Sequence, residues 1–309
     1  MNKHFLQSKP WQQFQQSLGR KTFHVKNDHW EYLAILEHGT GNSRLYLPYG
    51  PTAKDQTALE EALDSLKKLG KEQGVSFLRI EPTNPEFVNY LSKNGWKKVT
   101  YQSLNPEHTH LVDLSLSHDD LLASFVSNNR NLYRNYHKKD IKLHQSNNPK
   151  DISIFLDLIK KVASRTGMQP HSDEYFTKQA EALFPVKAGS LYYATIDSQP
   201  IAACIVYDSD TTRYFAHFGA DDEFRKFSAG NVLVAHIIFE AQKKGLKTMD
   251  LYGVAPKDSS PTHPWFGFSK FKRSFGGRDV DFAGSWELPL KPVSYWLYRL
   301  YQTTRKKLR

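Results

Sequence analysis

The stretch THPWFGFSKFKRSFGG, residues 262–277, sets five aromatic rings among three basic side chains and closes on two glycines. On a helix, at roughly 100° per residue, Trp265, Phe268, Phe271 and Phe275 fall on one side, within about 120° of each other. Lys270 and Arg273 fall away from that stripe, where solvated basic residues belong. Lys272 projects at the margin of the rings. A lysine there either snorkels its ammonium past them to water or has an anionic partner at a site.

Other residues with chemistry to offer lie just upstream. Asp250 and Tyr252, in MDLYGV, sit at the C-terminal end of a strand, where sheets of this kind open into sites; Asp250 is expected to orient groups rather than act as a base. RKFSAG, residues 225–230, stands directly before a long apolar helix. Arginine followed by small residues at a helix start lets backbone N–H groups approach a pyrophosphate, which makes Arg225, Ser228 and Gly230 phosphate-binding candidates. The plainer alternative is an ordinary helix N-terminus with Ser228 as its cap. His217 and His236 read as packed histidines, and no side chain stands out as a general base. Cys204, the single cysteine, lies in IAACIVY and reads as a small buried hydrophobe. It excludes an internal disulfide and a thiolate zinc site. No zinc spacing and no Walker loop occurs, so neither a metal nor a bound cofactor is expected.

The elements that must position these residues follow from periodicity and turn chemistry. HWEYLAILEH and SRLYLPYG form a hairpin across GTGN. TALEEALDSLKKLGKEQG is an amphipathic helix that ends at glycine, VSFLRIEP a buried strand, and NPEFVNYLSKNGW a second helix. WKKVTYQ and HTHLVDLS are strands. A helical region follows, HDDLLASFVSNNRNLYRNYHKK, PKDISIFLDLIKKVASRTG and SDEYFTKQAEALF. LYYATID, PIAACIVYD and TRYFAHFGA make a meander. NVLVAHIIFEAQKKG is apolar enough to be a buried helix, and KTMDLYGV is a strand. After the aromatic segment RDVDFAGSWEL reads as one strand, and VSYWLYRLYQTTRKKLR as a basic helix.

The halves repeat. KKLGKEQGVSFLRIEP answers EAQKKGLKTMDLYGV, and NYLSKNGWKKV answers SKFKRSFGGRDV. Duplication on this scale points to tandem domains: α/β, a duplicated mixed β-sheet with flanking helices, similar to tandem GNAT-like acyltransferase domains. The first domain is expected over residues 1–144, joined by the C-terminal helix 288–309, and the second over 145–287.

A chain of 309 residues with 39% hydrophobic side chains is long enough to bury two cores, and its net charge of +10 favours an anionic partner. The opening MNKHFLQSKPWQQF lacks a secretory apolar core, and no run approaches a membrane span. The expected location is cytoplasmic, with peripheral contact at the inner face of the cell membrane as a further expectation. The final helix sets Trp296, Leu297, Leu300 and Tyr301 on one face and carries Arg299, Arg305, Lys306, Lys307 and Arg309. That face either docks on the first domain or meets anionic lipid or tRNA. PKDSSPTHP, residues 256–264, is a stiff polar loop that either frames a groove or only connects.

WQQFQQSLGRKTF, SRTGMQP and above all RYFAHFGADDEFRKFSAGNVLVAHIIFEAQKKGLKTMDLYGVAP followed by FKRSFGG resemble the Fem (FemABX-like) peptidyltransferases over nearly the whole chain. The sustained heptads of that family's coiled-coil arm are missing, which implies an arm-less form. The resemblance implies two GNAT-like domains and transfer of an amino acid from aminoacyl-tRNA, as co-substrate, onto the side-chain amine of a peptidoglycan precursor stem peptide, whether lipid-linked or UDP-linked. Phe271 and Lys272 match the family's Phe-Lys at the acyl-transfer centre. There a fixed ammonium stabilises charge on the carbonyl oxygen and the departing ribose hydroxyl. Lys21 and Arg165 match positions that hold the acceptor's diphosphate or nearby groups; Tyr214 is a candidate for lining the acceptor channel, and Asp250, Tyr252 and Arg225–Gly230 complete the substrate and phosphate/tRNA contacts. The protein is expected to be a monomer. Two alternatives remain open: an acyl-CoA-dependent N-acyltransferase using RKFSAG as a true pyrophosphate loop, and a non-catalytic precursor- or RNA-binding protein on this fold.

Overall fold

The computed structural model describes residues 3–307 except Thr40 and Ser103, with side chains described as far as Thr304. The side chains of Arg305, Lys306 and Lys307, and all of Arg309, lie outside the described residues. The chain divides into two units, Met1–Glu107 with Asp281–Arg309, and His108–Val280.

The first unit opens with α1 (Lys9–Ser17), β1 (Thr22–Lys26), β2 (Trp30–Gly39), β3 (Asn42–Leu47), β4 (Thr52–Ala53), α2 (Gln56–Glu72), β5 (Phe77–Ile80), α3 (Val88–Lys93) and β6 (Lys97–Lys98). α2 starts where the Asp55 carboxylate accepts from the Ala58 N–H at 2.9 Å, a helix cap. Ala58, Leu59, Ala62, Leu63 and Leu66 then repeat every three or four residues and are buried against β2, β3 and β5. β2 and β3 pair antiparallel as the expected hairpin, with Gly39 opposite Asn42.

The second unit contains β7 (His108–Asp113), α4 (His118–Ser124), α5 (Ser127–Asn135), β8 (Lys142–Ser146), α6 (Ile152–Thr166), α7 (Asp173–Leu183), β9 (Gly189–Ile196), β10 (Gln199–Asp208), β11 (Thr212–Ala220), α8 (Ala229–Lys243), β12 (Thr248–Gly253), α9 (Phe266–Arg273) and β13 (Arg278–Asp281). The chain then returns to the first unit with β14 (Trp286–Pro289) and α10 (Pro292–Lys307). As its composition requires, α8 is buried: Val232, Leu233, Ala235, Ile237 and Ile238 are all inside.

Among the described residues each sheet has seven strands. The first runs β1-β2-β3-β5-β14-β6 with β4 on β2, and the second β13-β7-β12-β11-β10-β9-β8. Each is an antiparallel meander followed by one parallel step, β3 to β5 or β11 to β12, bridged by α2 or α8. The repeat seen in sequence is therefore a repeat of topology. In both units the next strand is borrowed. β7 follows β6 in the chain but pairs with β12 in the second sheet. β14 follows β13 but lies between β5 and β6 in the first.

This exchange corrects two sequence expectations. The boundary lies at 107/108 rather than 144/145, because β7, α4, α5 and β8 build the second unit. RDVDFAGSWEL is two strands in two different sheets, broken around Gly284, whose φ is +75°. WKKVTYQ is strand only at Lys97–Lys98.

Candidate active site

Helix α9 is fixed to the segment leaving β12 by three polar side chains at i, i+3 and i+4. Ser269, fully buried, donates its hydroxyl to the Trp265 carbonyl at 2.6 Å and accepts from the Ala255 N–H at 2.7 Å. Lys272 Nζ donates to the Gly253 carbonyl at 2.8 Å. Arg273 Nη2 donates to the Ala255 carbonyl at 2.7 Å and pairs with Asp279 at 2.8 Å. Helical spacing puts these three groups over the short backbone segment Gly253–Ala255.

Lys272 does not snorkel. It is 2% exposed, and its Nζ stands 4.1 Å from the centroid of the Phe268 ring, a cation–π distance. Burial lowers its pKa to about 7, against the opposing pull of Asp250. Asp250 is also buried. Its Oδ1 accepts from the Thr109 hydroxyl and from the Tyr252 N–H, the latter at 2.7 Å. Burial raises its pKa to about 6, against those hydrogen bonds and the nearby Lys272.

The Tyr252 amide reaches back to Asp250 because the strand is irregular there. Tyr252 has φ +59° and the β12–β7 register shifts between Asp250 and Gly253. A left-handed conformation at a tyrosine is uncommon and clusters at functional sites. Tyr214 sits opposite Asp250 in the parallel β11–β12 register, with its ring 5.9 Å from that of Tyr252. Phe271, half-buried, packs edge-on against Phe275 at 5.4 Å and 6.2 Å from Phe218. The structure thus brings together Tyr214, Asp250, Tyr252, Phe271 and Lys272.

The ring stripe is not the dry wall that the helical wheel suggests. Trp265 is 42% and Phe268 44% exposed, while Phe275 is fully buried. Nor is Arg273 a solvated charge, since Asp279 and Ala255 hold it. Asp279 also meets His110 Nδ1 at 2.7 Å, and His110 Nε2 meets the Gly276 carbonyl at 2.5 Å, which fixes the turn after α9. The sequence reading missed Thr109, His110 and Ser269. Thr109 and His110 lie in an ordinary alternating strand with no distinguishing motif, whereas a serine amid the rings of α9 was a usable signal.

The remaining candidates lie elsewhere. Arg225 is exposed, in the turn Asp222–Phe227. Ser228 does not cap α8: it has φ +54° and its side chain makes no cap bond. That backbone is the one a glycine adopts readily. Gly230 lets the Phe218 ring approach, since a Cβ there would lie 2.9 Å from it. Arg165, at the end of α6, is exposed and 4.0 Å from Asp222. Lys21 belongs to the first unit. Its Nζ donates to Gln73 at 2.9 Å, and it lines a cavity of about 1080 Å³ with Arg20, His38, Arg44, Gln102 and Tyr298. His217 is half-buried and meets the Tyr207 hydroxyl at 3.0 Å, with desolvation lowering its pKa to about 3. Burial raises the Cys204 thiol.

Residues 186–303, which contain the whole α9–β12 cluster except Thr109 and His110, match the FemAB family model. A lipid II:glycine glycyltransferase of Staphylococcus haemolyticus is 20% identical, over 78% of this chain and 68% of the relative. The crystal structure of FemX superposes with a TM-score of 0.84 at 16% identity, over 95% of this chain and 94% of that one. A tandem GNAT protein from the clavulanic acid biosynthesis pathway gives 0.53 at 12% identity, over 87% and 82%. These likenesses identify the fold as a tandem GNAT-like α/β architecture. Over residues 186–303 the chain is similar to the FemAB family, and its fold is similar to that of FemX.

Proposed function

We propose that the chain is an aminoacyltransferase that moves an amino acid from aminoacyl-tRNA onto the side-chain amine of a peptidoglycan precursor stem peptide. The observation that carries this reading is Lys272, a buried amine within the family-matched segment, bonded to a backbone carbonyl and set on an aromatic face. The glycyltransferase relative, named for its action on lipid II, supports the acceptor class.

In the reaction the acceptor amine forms a C–N bond to the ester carbonyl, the ester C–O bond breaks, and the amine's proton leaves while the ribose oxygen gains one. Negative charge develops on the carbonyl oxygen and then on the departing oxygen. The Lys272 ammonium stabilises both, and its low-dielectric surroundings strengthen that effect. Asp250, held by Thr109 and the Tyr252 amide, favours the charged form of Lys272. Phe271 and Tyr214 shape the space beside it. Within the first unit Lys21, with Arg20 and Arg44 on one cavity wall, is suited to the acceptor's diphosphate; within the second, Arg165 is an exposed cation suited to a separate anionic group.

The acyl-CoA alternative draws on one observation, the glycine-like backbone of Ser228 just before α8. The test supplies purified protein and a muropeptide precursor with charged tRNA and, separately, with acetyl-CoA. Loss of the aminoacyl group from tRNA, with a matching mass gain on the precursor, is expected; transfer from CoA alone would reject the reading. Lys272→Met separates catalysis from simple binding: transfer is lost while precursor binding persists.

A further inference from the structure

Helix α10 has two apolar faces. Tyr295 and Tyr298 turn inward and pack on Phe77, with ring centroids 5.4 and 4.8 Å away. Val293, Trp296, Leu297, Leu300 and Tyr301 turn outward and are each at least half exposed. Among the described residues, these five of eleven exposed large hydrophobic side chains fall within nine consecutive positions. They span an arc of about 140° on the helix. Isolated exposed apolar residues need no explanation, but a contiguous stripe does.

Charge brackets the stripe. On one side Lys97 and Arg299 line a groove of about 660 Å³ together with Val293 and Trp296. On the other, Arg20, Lys21 and Arg44 line a cavity together with Leu297, Tyr301 and Glu37, which pairs with Arg44 at 2.6 Å and leaves a net excess of cations. Cations on both flanks of a Trp- and Tyr-bearing apolar ridge match the layering of a bilayer surface, with phosphates at the level of the cations and acyl chains beneath. Nucleic acid would meet the cations and aromatics but gain nothing from Val293, Leu297 and Leu300. The helix is too short and too polar to cross a membrane.

We infer that the outward face of α10 is a docking surface for an anionic lipid bilayer, lying in the plane of the interface. The inference shares Arg20, Lys21 and Arg44 with the diphosphate contacts proposed above but is tested apart from them, since vesicle binding needs neither donor nor acceptor.

The test is flotation of the full chain with phosphatidylcholine vesicles, with and without a phosphatidylglycerol fraction, alongside light scattering of the protein alone. The wild-type chain is expected to float with the anionic vesicles only, and less so at high salt. Trp296→Ser/Leu300→Ser should lower the bound fraction about tenfold or more at unchanged Tm, and Lys97→Glu should lower it several-fold. Val293→Asp serves as a second variant should the double substitution disturb folding. A wild-type chain that ignores anionic vesicles, or variants that float as wild type does, would overturn the inference. So would a dimer that the double variant dissociates, which would make a second copy the occupant. Loss of tRNA binding with flotation intact would assign the face to RNA instead.

Discussion

A lysine held at 2% exposure against a backbone carbonyl and a ring has its protonation set by its surroundings rather than by water. Removing the amine in Lys272→Met is expected to lower transfer about 10²–10³-fold with no loss of fold. The unfolded lysine titrates near 10.5 and the folded one near 7. Between those values the unfolded chain keeps a proton that the folded chain has shed, so wild-type stability rises with pH across that window. Below about pH 7 both states are protonated and the full cost of burying the ammonium remains. Urea midpoints at pH 7 and pH 10 should therefore show wild type gaining on Lys272→Met as pH rises. The rate ratio of wild type to variant should shrink over the same range, because the ammonium is what stabilises the oxyanion. Asp250 runs the other way: its raised pKa makes stability fall as pH climbs from about 4 to about 6. Lys272 was legible in sequence from its place among rings. Its burial was not, because a helical wheel gives direction but not where along the helix a neighbour stands. Trp265 and Phe268 share Lys272's sector of the wheel but stand two turns and one turn earlier, where they are exposed, whereas Lys272 meets the Gly253 carbonyl at the end of β12.

At the scale of elements, the site depends on how α9 hands over to β13. Gly277 has φ +84°, and a Cβ there would lie 2.1 Å from the Leu111 carbonyl oxygen of β7. Backbone cannot yield as a flexible side chain would. Gly277→Ala should cost about 3 kcal/mol or more, read from urea unfolding, with transfer falling through loss of the α9 position rather than of any reacting group. The helices were legible because apolar spacing and caps are local signals: α2, α6, α7 and α8 all stand where periodicity puts them. β1 and β8, which flank the meanders, went unseen. Both are edge strands of mostly half-buried or exposed residues, TFHVK and KLHQS, and carry little alternation to read.

For the molecule as a whole, the exchange of β7 and β14 is what no local pattern could disclose, since which sheet a strand joins is a long-range choice. The first unit secures its borrowed strand with a buried ion pair. Arg79 on β5 meets Glu287 on β14 at 2.5 Å, both side chains fully inaccessible, with the Tyr101 and Tyr295 hydroxyls donating to the same carboxylate at 2.7 and 2.9 Å. Arg79→Met leaves Glu287 to the more distant Arg299, at 3.6 Å, and should cost about 3 kcal/mol. The joint replacement Arg79→Met/Glu287→Leu should restore much of that. Denaturant unfolding and amide exchange in β5 and β14 measure both effects.

β5 and β6 have no direct pairing with each other; β14 sits between them. On a translating ribosome, β5 is finished roughly two hundred residues before its partner exists, about 10–40 s at ordinary synthesis rates. For that interval the nascent first unit carries an open strand edge while the second unit, whose strands all precede residue 282, acquires everything it needs. The segment encoded in the middle matures first, and the segment encoded at the start waits for the tail.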